Sequence, residues 1–299
     1  MSLSLLKDIR AAYSNLNPDG VRTQAERELN VALVANNAEA YSAMEHFLAP
    51  LSESAEKRAR ALRCLHRVPD ASSSERFDFI VCQEGAVSGG NRFVFHHGDP
   101  ERMVCNILDE RQDIELALSR NFAPFRQPVA SRIIQRVARE NAMFTLMTAL
   151  PNVIPSLIEL PWAVGEFATD TAFLTINQIR MAFLLAAASD AEIGYAGQKG
   201  EVAAIVASAF GWRAIARELM GKIPLGGGLI PKGAISFAGT YAVGKSLEAF
   251  YRRGYGLSRA EQRQAYSHAL AKGRGVVDLL LSTLKGGLKK PGMAPASQA

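Results

Sequence analysis

The sequence predicts a two-domain α+β chain: a small N-terminal α/β domain on a parallel sheet, followed by an all-α, Gly/Ala-rich helical domain. Three observations carry that expectation. Short apolar runs alternate with helical spacing between residues 29 and 122, no strand signal follows Pro128, and the charge balance changes sign between the two halves.

Leu3, Leu6, Ile9, Arg10 and Tyr13 stand near helical spacing, which predicts an amphipathic helix over residues 1–14, and Asn17-Pro18-Asp19-Gly20 reads as a turn that ends it. The apolar run over 29–34 predicts a strand. Helices are expected over 38–48 and 54–66, strands over 77–82 and 92–95, and helix again over 100–122. Strands that alternate with helices in this way favour parallel pairing with crossover connections. Pro124 and Pro128 bracket an expected break.

Beyond the break, helices are predicted over 129–150, 156–189 with an interruption at Pro161, 200–221, 232–253 and 258–285, with a loop over 221–231. The resulting organisation is an N-terminal helix and turn (1–28), an α/β domain (29–122), a helical domain (127–285) and a tail (286–299) of the composition typical of disorder.

Hydrophobic residues make up 48% of the 299-residue chain, with a mean hydropathy of +0.01. Residues 1–140 hold 18 Lys/Arg and 19 Asp/Glu, whereas residues 141–299 hold 16 and 10, so the second half carries +6 and the first −1. The basic half is also the apolar half. Its Lys and Arg residues are scattered among Leu, Ala and Gly instead of clustered with aromatics, which excludes nucleic acid as the expected partner and favours anionic lipid headgroups. Cys64, Cys82 and Cys105 lack the count and spacing of a disulfide framework or zinc site, and read as reduced thiols. The N-terminus lacks the order of charged, apolar and small residues found in a signal peptide, so the chain is expected on the cytoplasmic side of a membrane, with the cytoplasm as the alternative.

The junction from Val31 to Ser42 has the spacing of a phosphate loop between a strand and a helix. Its residues differ in kind. Ala35 and Ala40 stand where the two glycines belong, Tyr41 replaces the phosphate-binding Lys, and only Ser42 matches. Further on, His96-His97-Gly98-Asp99 follows a strand where GTPases of the translation-factor class carry Asn-Lys-x-Asp, and only Asp99 agrees. A degenerate, GTPase-like module used for protein contacts is therefore expected, without tight triphosphate binding. His96 and His97 are adjacent, so on a strand they point to opposite faces and do not suit one metal ion.

In the helical half, Asn141–Ile158 is uncharged but contains Pro151 and Pro155, so a single straight span of about 20 apolar residues is not expected. A re-entrant hairpin and a core helix with a Pro-rich connector remain open. Glu166, Asp170, Asn177 and Arg180 fall within an arc of about 80° on a helix and form a polar stripe, read as a polar or interhelical face of a soluble bundle; within a membrane it would have to face a protein interior and pair internally. Gly226, Gly227 and Gly228 form a hinge before a helix that Pro231 opens. Ala234, Ala238, Ala242 and Ser246 then recur every four residues, a small-residue stripe that lets another helix approach closely.

The segments Asn177–Met181, Ile193-Gly194-Tyr195, Lys222–Pro231 and Gly239–Lys245 resemble the YcjF-like family of uncharacterised bacterial proteins, over about residues 150–255. The resemblance implies a helical domain of the kind also found behind Era-type GTPase domains and often assigned to membranes. It supplies no catalytic residues.

The expected function is thus non-enzymatic and membrane-associated, with an α/β module that binds a protein partner and helices that contact lipid or a second copy of the chain. No catalytic, metal or cofactor-binding residue is assigned. The alternatives are a nucleotide-binding, GTPase-like regulator and a soluble helical adaptor.

Overall fold

The computed structural model describes residues 18–69, 76–85, 91–148, 170–205 and 229–288. The fold is mostly helical around one small four-stranded parallel sheet, an α+β arrangement. The expectations placed on residues 1–14, on Gly226, Gly227 and Gly228, on Glu166 and on the prolines at 151, 155 and 161 lie outside the described residues.

Helix α1 spans Pro18–Ala25, where a turn was expected. Pro18 opens it, a position where the missing N–H has no intrahelical partner to lose, and Asp19 pairs with Arg22 one turn later at 2.8 Å. Strand β1 (Val31–Val34) leads into α2 (Ala38–Leu48), whose Asn37 side chain caps the helix. Helix α3 (Ala55–Arg63) is capped by Ser54 and stops at Cys64, so the predicted helix to residue 66 is too long. Leu65–Val68 instead forms β2, paired in parallel with β1. A four-residue Leu-His-Arg-Val run has no strand signature of its own, and the free edge of β1 supplies the pairing that local preference does not.

Strands β3 (Phe79–Gln83) and β4 (Arg92–Phe95) complete the order β2-β1-β3-β4, all parallel. Val31, Leu33, Phe79, Val81, Phe93 and Phe95 face the main core, while Ala32, Ile80 and Cys82 form a smaller cluster on the other face. Asp99 and Pro100 start α4 (Pro100–Glu110), and a 3-10 turn over Gln112–Ile114 separates it from α5 (Glu115–Asn121).

The expected break at Pro124 and Pro128 is instead the opening of a 26-residue helix, α6 (Ala123–Thr148). Both prolines sit in its first two turns, where one lost hydrogen bond is outweighed by burial of Phe125, Val129, Ile133 and Val137 against the sheet side. Further along, Ala138, Ala142 and Leu146 of the same helix pack into a second cluster with α8 (Leu229–Arg253) and α9 (Arg259–Leu288). Helix α7 (Asp170–Ala188) packs on α6 and α8. One continuous core cluster runs from β1 through α6 to Ile176, Met181, Val243 and Leu247, so α6 is shared by the sheet and the helical layer.

Candidate functional site

Ligands of open parallel sheets bind beyond the carboxyl ends of the strands, where the strand order reverses. Here that place lies between β1 and β3, and the Val31–Ser42 junction stands at it. The chain itself fills the positions a phosphate would use. The Asn36 N–H donates to Gln83 Oε1 across the switch point at 2.9 Å, and the Ala40 N–H donates to Asn37 Oδ1 at 2.8 Å. Helix α2 already begins at Ala38, so Ala38–Ala40 form its first turn and no open cradle precedes Tyr41. Tyr41 donates to the Val68 carbonyl at 2.7 Å, and the Arg67 guanidinium lies over its ring at 5.3 Å while pairing with Glu45 through two bonds. The Arg67 hydrogen bond holds the Glu45 carboxyl below its ordinary range against the effect of burial. Ser42, the one residue that matches the motif, donates back to the Ala38 carbonyl of its own helix.

The neighbouring loop is similarly committed. Asp99 accepts the Arg102 N–H as the cap of α4. His96 pairs with Glu84 at 3.2 Å, whereas His97 packs edge-on against Phe95 at 5.2 Å, so the adjacent imidazoles point to different partners. Among the described residues no group of three His, Cys, Asp or Glu side chains is placed to hold a metal ion.

The polar stripe of α7 faces inward. Asn177 donates to Asn141 Oδ1 at 2.8 Å and to Glu140 Oε2 at 3.1 Å, and Arg180 donates to the same Glu140 oxygen at 3.1 Å. Asn141 in turn donates to Thr240 on α8 at 2.8 Å. Burial pushes the Arg180 pKa down from its ordinary value, opposed by the Glu140 charge. Asn141, Asn177, Gln178 and Thr240 are all buried, so α6, α7 and α8 meet through a hydrogen-bonded polar seam. Of the stripe, Asp170 opens α7, and Asn177 and Arg180 are the members brought into this seam.

Ala234, Ala238 and Ala242 are fully buried inside the chain, against α6 and α9. Ser246 accepts the Leu257 N–H at 3.2 Å and fixes the turn from α8 into α9. Small residues elsewhere on these helices serve the same close approach. A Cβ on Gly244 would stand 2.8 Å from Ile134 Cγ1 and 3.0 Å from Met181 Sδ, and one on Gly273 would stand 3.1 Å from the Phe237 ring.

Sequence reasoning missed a third cluster, around Asp190. This residue follows α7 with φ +56, a left-handed conformation that Asp and Asn tolerate better than most side chains. Its carboxylate is 6% exposed and lies 2.6 Å from Arg60, 3.3 Å from Lys57 and 3.6 Å from Arg120. Burial alone would raise its pKa. The Arg60 hydrogen bond and the three cationic charges outweigh that, and hold the carboxyl below its ordinary value. Arg22 adds a bond to the Ile193 carbonyl at 2.7 Å, so the 189–194 loop is tied to α1, α3 and α5. The only local signal was a Ser-Asp pair closing an apolar helix.

On α9, Arg259, Arg263 and Arg274 fall within an arc of about 60° and Lys272 on the opposite flank, all exposed and without a hydrogen bond or ion pair among the described residues. Among the described residues no helix is long and apolar enough to cross a membrane.

Comparison with known proteins adds no relative: no family model, no curated protein and no solved structure matches the chain.

Proposed function

We propose that the chain is a non-catalytic protein that docks on an anionic membrane surface through the outer side of α9, with its α/β layer serving as a partner-binding, pseudo-GTPase module. The observation that supports it is the set of exposed α9 cations, Arg259, Arg263, Lys272 and Arg274, left unpaired among the described residues, where most of the other described arginines meet carboxylates. Each Lys or Arg brought to an anionic leaflet contributes about 1 kcal/mol, an attraction that fades within a Debye length. Peripheral contact fits this side of the molecule. The YcjF-like resemblance of the helical half and the two-domain division belong to the same reading, as does a position on the cytoplasmic face.

The pseudo-GTPase half of the reading rests on the self-satisfied switch point, where Asn37 and Gln83 hold the N–H groups that a phosphate would need. Cosedimentation with vesicles tests the membrane half. Binding to phosphatidylglycerol-containing vesicles that is lost at high salt is expected; equal recovery with neutral vesicles, or none with either, overturns it. Calorimetry with GTP, GDP and ATP plus magnesium tests the other half. Saturable heat with any of them removes the pseudo-enzyme assignment.

A further inference from the structure

At the amino edge of the sheet, opposite the switch point, a cleft of ≈ 500 Å³ opens between the segment entering β1 and the end of α3. Arg60, Arg63 and Arg120 line it, together with Cys64, Glu26 and Glu28. Arg27 also borders the cleft, but it is committed to Asp78 at 2.7 Å and to Asp113 at 3.4 Å.

The arginines of this cleft keep donors unspent. Arg63 is exposed and makes no hydrogen bond or ion pair among the described residues. Arg60 gives one Nη to Asp190 and the Arg120 carbonyl, while its Nε is buried with no partner. Arg120 reaches only distant acceptors: Asp190 at 3.6 Å, Glu26 at 3.5 Å and the Ala191 carbonyl at 3.5 Å. A buried guanidinium donor without a partner is costly, and a planar fork with free N–H groups matches phosphate oxygens. Asp190 offsets part of this charge from behind, but Lys57 shares that carboxylate. The two glutamates of the wall leave the three arginines in excess.

We infer that this cleft binds the phosphate group of a ligand, held by Arg63, Arg120 and the Arg60 guanidinium. The inference stands apart from the membrane reading, because the cleft and α9 are different surfaces. The phosphate belongs either to a soluble phosphomonoester or to a lipid headgroup, and the same chemistry would recognise both. An incoming phosphate shares Arg60 and Arg120 with Asp190, so occupancy also touches the loop that ties the helical layer to α3 and α5.

Cys64 supplies the readout, since it lies in the wall of the cleft while Cys105 is exposed elsewhere and serves as the internal reference. Maleimide labelling of the full chain is followed by mass spectrometry at each thiol, with inorganic phosphate or glycerol 3-phosphate, with phosphatidic-acid vesicles, or with sodium chloride of equal ionic strength. At a ligand concentration twice the dissociation constant, Cys64 labelling slows about threefold while Cys105 is unchanged. Protection by the soluble ligands assigns a soluble phosphomonoester, and protection by vesicles alone assigns a headgroup. Arg63→Ala, an exposed substitution that leaves the core intact, abolishes the protection, and Arg139→Ala on α6 does not. Protection that equals the sodium chloride effect, that survives Arg63→Ala, or that never occurs overturns the assignment.

Discussion

The two halves of this molecule differ in where positive charge is left unpaired: around the Arg63 cleft in the N-terminal half, and along α9 in the C-terminal half. In the N-terminal half, Arg27, Arg67, Arg111, Arg126 and Arg132 each meet a carboxylate of the same half within 3.4 Å, and the net charge there is close to zero. In the C-terminal half the inner cations are also paired, Arg180 with Glu140 and Arg253 with Glu261. Those on the outer side of α9 are not. Net charge read from a sequence counts both kinds alike. The difference teaches that a surface field comes from the charges left unspent, and that paired surface arginines contribute little to stability on their own account.

Removing the α9 charges breaks that contrast most strongly. Replacing Arg259, Arg263 and Arg274 by Gln lowers affinity for anionic vesicles by about 3 kcal/mol, or roughly 10²-fold, with helicity unchanged. Cosedimentation at low salt measures it, and an unchanged affinity shifts the docking surface away from α9.

Asp190 sharpens the comparison from the paired side, because its carboxylate is 6% exposed and meets three cations at once. Asp190→Asn keeps a residue suited to positive φ and removes only the charge, leaving Arg60, Arg120 and Lys57 facing each other. Urea denaturation at pH 7 should show a loss of about 2–3 kcal/mol. Its folded pKa is depressed, so its contribution is complete above the ordinary carboxylate range and disappears as pH falls through the folded value. The wild-type and variant stabilities therefore converge in acid and diverge toward neutrality. A constant difference between pH 7 and pH 2 contradicts the ion-pair origin.

The polar seam between α6, α7 and α8 is the next test. Asn141→Leu strips a partner from Asn177 and from Thr240 and leaves both buried, at a cost of about 2 kcal/mol. A loss below the error of denaturant titration means that the seam repacks.

The smallest effect is expected at Gly244. Ala there gains up to about 1 kcal/mol of helix propensity but forces a Cβ against the stiff, β-branched Ile134, so overpacking wins by about 1 kcal/mol. Ile134→Ala removes both contacting γ carbons and in the same chain should recover part of it, measured as a double-mutant cycle. Additive losses instead place the strain elsewhere.

Much of the N-terminal layer was legible in the sequence, because the strands at 31–34 and 92–95 and the helix at 38–48 carry both their periodicity and their punctuation locally. Asn37 before an alanine-rich helix and Asp99-Pro100 before another are capping signals that need no tertiary context. Strand β2 was not legible, since its four residues pair only because β1 offers an edge. The uninterrupted start of α6 was hidden as well, because Pro124 and Pro128 read as breakers until the burial around them is known.

By itself the sequence determined an α+β chain with a parallel sheet, a mostly helical remainder and an excess of positive charge in the second half. The tertiary structure alone decided where those features point. The stripe of Asn177 and Arg180 faces a partner helix, Ala234, Ala238 and Ala242 are consumed inside the chain, and Arg259, Arg263, Lys272 and Arg274 of α9 are unpaired among the described residues. Spacing along a helix fixes which side chains share a face, but only packing fixes what that face meets. Asp190 shows the same limit, because its partners lie 130, 133 and 70 residues away in the chain, on α3 and α5, and nothing local announces them.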